Sequence, residues 1–149
     1  MIRFHTIPVA FAGLVISTAA WAVDTPSPGD LTDLTQIRAE VKAQDYKRAI
    51  TNLQGLLDQG FQDPNVYNLL GFSLRKSGDK QGAQTFYNKA LDFDPNHKGT
   101  LEYQGELYIE NGDIPKAQHN LARLKTLCPN GCEEREDLER ALSKVAEIN

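Results

Sequence analysis

The feature that most constrains the fold of this 149-residue chain is a repeat of 34 residues. Ala49, Ala83 and Ala117 stand 34 residues apart, and each follows the same kind of helix-breaking turn. A fixed period of this length is typical of solenoids that stack helix–turn–helix units and bury a core between neighbouring units. The sequence therefore predicts an all-α protein whose general role is to hold other proteins.

The clearest unit spans residues 64–97 and has two helices joined at Ser77-Gly78-Asp79, where Gly78 suits a left-handed helix end. Pro95 ends the unit. The residues that carry its pattern are Tyr67, Leu70, Gly71 and Leu74, followed by Ala83, Tyr87 and Ala90. This pattern resembles the tetratricopeptide repeat (TPR). The resemblance implies a right-handed solenoid of about three helix–turn–helix repeats plus a C-terminal capping helix.

Two further units keep the register less well. The unit at about residues 98–130 departs from the TPR pattern at Gln104 and Leu124, and the unit at about residues 30–63 is weaker and three residues longer. Terminal repeats are expected to be atypical because one of their faces meets water. In the two better units we expect small residues to let the paired helices approach closely, with Gly71 and Gly105 opposite Ala83 and Ala117.

The N-terminal residues 1–22 predict a secretory signal peptide. An apolar stretch from Ile7 to Ala20 precedes the small residues of Ala20-Trp21-Ala22, so cleavage is expected after Ala22. The alternative is an uncleaved membrane anchor, but the roughly 17 residues from Ile7 to Val23 are marginal for spanning ~30 Å of hydrocarbon. Residues 23–29 are then expected to form a short leader or linker. After cleavage we expect no membrane insertion and a periplasmic location.

The chain carries 16 Lys+Arg against 20 Asp+Glu, which argues against a nucleic-acid-binding protein. The carboxylates are scattered over surface helices, and the sequence shows no Ser-His-Asp set and no glycine-rich phosphate loop. We therefore expect a protein that is not an enzyme and that needs no cofactor or metal.

Cys128 and Cys132 are the two cysteines of the chain, and they flank the turn-forming Pro129-Asn130-Gly131. In an exported protein an intramolecular disulfide is the default. A reactive thiol at the helix N-terminus and copper binding through two thiolates are the alternatives. The surrounding stretch Leu127–Glu134 resembles a C-terminal feature of small exported TPR proteins in proteobacteria, which implies an envelope location and brings no chemistry of its own.

Residues 131–149 predict the capping helix, with Leu138, Ala141, Leu142, Val145 and Ile148 at helical spacing. Its first turn is crowded with acids: Glu133, Glu134, Glu136 and Asp137. The helix dipole favours negative charge at that end, so we interpret this run as a solvated face.

The TPR resemblance implies a concave groove lined by the first helix of each unit. The groove residues that it implies are Arg38, Lys42, Asn65, Asn68, Phe72, Arg75, Lys76, Glu102, Glu106 and Ile109. This groove would run from basic to acidic, with Asn65 and Asn68 bonding a peptide backbone and Arg75 and Lys76 meeting a carboxylate. It does not match the carboxylate clamp of chaperone-binding TPR domains.

The groove predicts a scaffold for a peptide or a partner protein, in the assembly of an envelope or secretion complex. Three alternatives stay open. The surface charges can serve solubility alone. The protein can act in thiol redox or copper handling through its cysteines. It can also associate with itself as a homo-oligomer, the basic groove end of one copy meeting the acidic cap of the next.

Overall fold

The computed structural model describes residues 34–147, which form seven α-helices and no strand. The signal peptide and leader predicted at residues 1–22 and 23–29 lie outside the described residues. The prediction of an all-α TPR solenoid with three helix pairs and a capping helix is confirmed. The helices are α1 (Thr35–Lys42), α2 (Tyr46–Asp58), α3 (Pro64–Lys76), α4 (Lys80–Phe93), α5 (Lys98–Glu110), α6 (Ile114–Leu127) and α7 (Glu133–Ala146).

The turn inside each helix pair is built in the same way three times. A residue with positive φ ends the first helix, at Gln44 (60°), Gly78 (94°) and Gly112 (78°). Glycine adopts this conformation at little steric cost, and the left-handed end predicted for Gly78 is confirmed. The next residue is an aspartate that caps the second helix by accepting a backbone N–H three residues on; these are Asp45, Asp79 and Asp113.

The core lies between the helix pairs, and the alanine repeat runs through it. Ala49, Ala83 and Ala117 are all fully buried. Tyr87 and Leu107 pack beside Ala83 in the middle of the molecule. Because each of these positions carries only a methyl group, the second helix of each pair can pack close to its neighbours. The same close packing therefore recurs every 34 residues.

Two glycines show how closely the helices approach. A Cβ atom on Gly71 would lie 2.7 Å from two ring carbons of Tyr87 and 3.3 Å from the carbonyl oxygen of Ala83, as expected. Gly105 differs from the expectation, because its nearest atoms belong to Leu138 in α7 rather than to Ala117, with Leu138 Cδ2 at 2.6 Å from a Cβ placed there. The reason is that Leu138 of α7 packs on α5 at this position.

No helix within residues 34–147 combines the length and the apolar character needed to cross a membrane.

Candidate functional site

The first helices and the capping helix enclose an open cavity of about 450 Å³, which we call the concave cavity. Helices α1, α3, α5 and α7 and the α4–α5 connection supply its lining. Four predicted groove residues are in it: Arg38, Asn65, Asn68 and Glu102. The other lining residues are Asp94, Asn96, His97, Lys98, Gly99, Tyr103, Glu133, Glu134 and Asp137.

The side-chain carbonyls of the two cavity asparagines are held by the start of α5. His97 caps this helix, because its Nδ1 accepts the backbone N–H of Thr100 at 3.1 Å. Nε2 then carries the ring proton and donates to Asn65 Oδ1 at 3.3 Å. The Thr100 hydroxyl lies 3.1 Å from Asn68 Oδ1 and 2.8 Å from His97 Nδ1, and its single proton is shared between these two acceptors. Burial lowers the pKa of His97, which favours this neutral ring.

The amide NH₂ groups of Asn65 and Asn68 are not used in these hydrogen bonds. Neither has a hydrogen-bond partner among residues 34–147, although Asn68 is only 7% exposed. Each NH₂ group offers two protons, and the side-chain oxygen beside it is already bonded. The cavity wall therefore presents donors of fixed orientation.

Another part of the cavity lining is acidic. Glu102 is only 7% exposed, and within the described part of the chain it makes no hydrogen bond or ion pair. Burial raises its pKa to about 8, together with the charge of Glu106 and those of Asp137, Glu134 and Glu133 in α7. Glu102 is therefore largely protonated near pH 7.

The acidic first turn of α7 was interpreted as a solvated face, but the structure places most of it in the cavity lining. Glu133, Glu134 and Asp137 line the concave cavity, and Glu134 and Asp137 are half-buried. The period of 34 explains this position, because adding it to the α5 range 98–110 gives 132–144 and α7 spans Glu133–Ala146. Counting the repeat into the capping helix was the sequence signal that would have found these residues.

Four other predicted groove residues line a second cavity of about 210 Å³: Arg75, Lys76, Glu106 and Ile109. Arg75 was expected to meet a carboxylate of a ligand, but its side chain is 2% exposed and its guanidinium already binds two carboxylates of the protein. Nη1 donates to Glu110 at 3.0 Å and Nη2 donates to Glu106. The expected gradient from basic to acidic is therefore wrong at Arg75, because α5 neutralises its charge.

The last two predicted groove residues, Phe72 and Lys42, line neither of these cavities. Phe72 packs against Tyr103 with ring centroids 4.7 Å apart, and the guanidinium carbon of Arg75 lies 5.6 Å from its centroid. In chain order Phe72 lies between the asparagines of α3 and the Arg75–Lys76 pair.

The cysteine pair lies in the connection between α6 and α7. The Cα atoms of Cys128 and Cys132 are 6.0 Å apart, within the range of disulfides. Within residues 34–147 no group of three or more His, Cys, Asp or Glu side chains is arranged to hold a metal ion.

Comparison with known proteins places the repeats in the same part of the chain. Two family models, each described as a tetratricopeptide repeat, match residues 64–97 and 86–119. The first match covers α3 and α4, and the second covers part of α4, all of α5 and the start of α6. A curated relative, the "uncharacterized protein ycf37" of Pyropia yezoensis, is 33% identical over 72 residues, or 48% of this chain. The chain covers 40% of that relative's length.

Solved structures share the fold at low sequence identity. SycD, the type III secretion translocator chaperone of Yersinia enterocolitica, has a TM-score of 0.64 at 18% identity over 76% of this chain and 86% of that chain. SycD in complex with a peptide of the translocator YopD gives 0.63 at 18% identity over the same shares. PcrH in complex with the chaperone-binding region of PopB gives 0.61 at 19% identity over 75% and 95%. At this identity the likeness shows the fold alone.

Proposed function

We propose that this chain is a non-enzymatic scaffold that binds an extended segment of a partner protein in the concave cavity. The observation that carries the proposal is the pair of amide NH₂ groups on Asn65 and Asn68. Their side-chain carbonyl oxygens are hydrogen-bonded to His97 and Thr100, which fixes the orientation of the NH₂ groups. These NH₂ groups have no hydrogen-bond partner in residues 34–147.

The spacing of the two asparagines suits a peptide main chain. Residues three apart on a helix have Cβ atoms about 5–6 Å apart. In an extended peptide, carbonyls on the same side recur every second residue, about 6.6 Å apart. Asn65 and Asn68 can therefore donate to two carbonyls of one bound segment, while the side chains of that segment reach α5 and α7.

The solved neighbours support a peptide as the ligand. The structures of SycD and PcrH include complexes with a YopD peptide and with the chaperone-binding regions of PopB and PopD. Those peptides are ligands of those proteins. Their relevance here is that the same arrangement of helices accommodates a peptide.

The test uses a library of random twelve-residue peptides, selected for binding to the wild-type protein. We expect Asn65→Ala to bind the selected peptides about fivefold more weakly, because one net hydrogen bond contributes about 1 kcal/mol. Asn111→Ala, an exposed asparagine outside both cavities, is the matched control and should bind as the wild type does. An absence of selected peptides, or equal binding by Asn65→Ala, would overturn the proposal.

We also propose that the chain is exported to the periplasm and acts there in assembly of an envelope or secretion complex. The apolar segment Ile7–Ala20, followed by Ala20-Trp21-Ala22, supports export. An oxidising compartment would join Cys128 to Cys132 and fix the connection between α6 and the cap.

Protein isolated from the periplasm of an expressing bacterium tests export and oxidation together. We expect its N-terminal residue to be Val23 and its denatured form to have no titratable thiol. Recovery of the protein in the cytoplasm with Met1 retained would contradict export, and two titratable thiols in periplasmic protein would contradict the disulfide.

A further inference from the structure

Glu102 differs from the other buried carboxylate of the structure. Glu40 is also 7% exposed, and it accepts hydrogen bonds from Asn52 Nδ2 at 2.9 Å and from Gln36 Nε2 at 3.3 Å. Glu102 lines the concave cavity at the same low exposure without any such donor among the described residues. The Glu102 oxygens are not among the side-chain atoms closed off from solvent without a partner, and the residue lines the open cavity. A donor on a ligand in the cavity can therefore reach and bond them.

The charges around Glu102 favour a cation in that position. Besides Glu102, the cavity lining contains four carboxylates, of Asp94, Glu133, Glu134 and Asp137, and two cations, Arg38 and Lys98. The Lys98 ammonium lies 3.9 Å from a Glu134 oxygen, so it is already engaged at the rim. The cavity thus has an excess of negative charge in a partly water-excluded space, where opposite charges attract more strongly than in bulk water.

Glu102 also lies at the repeat position that follows Asn68, since the two residues are 34 apart. Adjacent first helices therefore place the side-chain amide of Asn68 and the unpaired carboxyl of Glu102 side by side on one wall. Tyr103 lines the same cavity, and an aromatic ring attracts a guanidinium or an ammonium.

We propose that the concave cavity takes a lysine or arginine side chain of the bound segment, with Glu102 as the carboxylate that accepts its hydrogen bond. This inference rests on the peptide-binding function proposed above and specifies the chemistry of the ligand. A charge-assisted bond of this kind is stronger than a neutral one and selects for the basic residue.

The pKa of Glu102 gives the proposal a second readout. Because that pKa is about 8 in the empty cavity, a cation that binds beside Glu102 displaces its proton, and binding at pH 7 should release up to one proton. The charged and titratable groups that face this carboxyl or line the same cavity are Arg38, Asp94, His97, Lys98, Tyr103, Glu106, Glu133, Glu134 and Asp137.

The experiment compares three nine-residue peptide libraries that differ only in the central residue, which is arginine, citrulline or glutamate. Citrulline has nearly the shape of arginine and no charge. We expect the wild-type protein to bind the arginine library about tenfold more tightly than the citrulline library, and the glutamate library most weakly. Glu102→Gln should reduce the arginine preference to less than threefold and abolish proton release. Glu136→Gln removes a charge from an exposed residue that does not line the cavity, so this variant should keep both the arginine preference and the proton release.

The outcomes separate this inference from the proposed function. Equal binding of the arginine and citrulline libraries, with Asn65 still required, would overturn the cation site and leave peptide binding intact. A failure to bind any library would overturn both. Arginine preference that survives in Glu102→Gln would assign the cation to another carboxylate and reject Glu102. Agmatine, a free guanidinium compound, bound as tightly as the arginine peptides would reject a peptide as the occupant.

Discussion

At the residue scale, single atoms decide how closely the helices of this protein approach. Gly71 is in van der Waals contact with the buried ring of Tyr87, whereas Gly55 in α2 has no atom within 4 Å of an added Cβ. Glycine weakens a helix interior relative to alanine by about 1 kcal/mol. A change to alanine would therefore raise the helix propensity equally at both positions, but only at Gly71 would the added methyl group collide with a neighbour.

We predict that Gly71→Ala destabilises the protein by about 1–2 kcal/mol, because overpacking exceeds the gain in helix propensity. Tyr87 is fully buried, and its ring cannot move from a methyl carbon at 2.7 Å without disturbing its neighbours. Urea unfolding followed by circular dichroism measures the change. Gly55→Ala is the matched control and should stabilise by up to about 1 kcal/mol. A more stable Gly71→Ala protein would contradict the close approach of α3 and α4.

A second residue-scale prediction concerns the pH dependence of stability. The pKa of Glu102 is about 8 in the folded protein, against an ordinary value of 4.5. The folded state therefore holds a proton that the unfolded state releases in this window. The stability contributed by protonated Glu102 is complete below pH 4.5 and is lost as the pH rises through 8.

Glu102→Gln removes this loss, so the variant should gain melting temperature relative to the wild type as the pH rises from 5 to 9. Thermal unfolding at several pH values measures the difference, with Glu136→Gln as the control that should follow the wild type. A difference between Glu102→Gln and wild type that stays constant from pH 5 to 9 would contradict the raised pKa.

At the element scale, α3 and α5 are joined by one buried cation. Arg75 reaches from α3 to Glu106 and Glu110 of α5, and its Nε has no partner among the described residues. The neighbouring Tyr87 hydroxyl is likewise unpaired within them, and burial raises the pKa of Tyr87 although the charge of Arg75 acts to lower it. The guanidinium is buried, whereas its two carboxylates are 29% and 39% exposed.

This asymmetry predicts which side of the ion pair is costlier to remove. Glu106→Ala with Glu110→Ala leaves a buried guanidinium without a carboxylate and should destabilise by about 3–5 kcal/mol. Arg75→Met leaves two carboxylates that water can reach, so it should cost less. Urea unfolding of both variants makes the comparison, and a larger loss in Arg75→Met would contradict the buried position of the charge.

The sequence predicts the helices and their turns more completely than the contacts of the candidate site, and the reason is physical. The helix pairs follow from local signals, such as the turn at Gly78 and the period of 34, because each depends on residues near in sequence. The bond between Arg75 and Glu106 joins residues 31 apart, and the proton of Glu102 depends on side chains of α7. A single sequence shows the charges of such residues but not which of them meet.

At the scale of the whole molecule, residues 34–147 form a short stack of helices in which α7 packs on the last helix pair. Leu138 is fully buried against Leu101 and Leu124, and its methyl groups contact the position of Gly105. In a repeat protein each unit contacts only its neighbours, so damage is expected to spread from one end.

We predict that Leu138→Ala destabilises the protein by about 2–5 kcal/mol and loosens the cap end first. Hydrogen exchange under native conditions should accelerate in α5, α6 and α7 more than in α3 and α4. Equal acceleration in all helices would show that the molecule opens as one cooperative unit instead.

The proposed function depends on the side-chain amides of Asn65 and Asn68 donating hydrogen bonds to a bound peptide. Nuclear magnetic resonance of ¹⁵N-labelled protein observes these NH₂ groups directly while the tightest peptide from the random library is added. We predict that the NH₂ resonances of Asn65 and Asn68 shift in proportion to occupancy, while those of the exposed Asn111 do not change. Unchanged resonances of both cavity asparagines at saturating peptide would overturn the proposed binding mode.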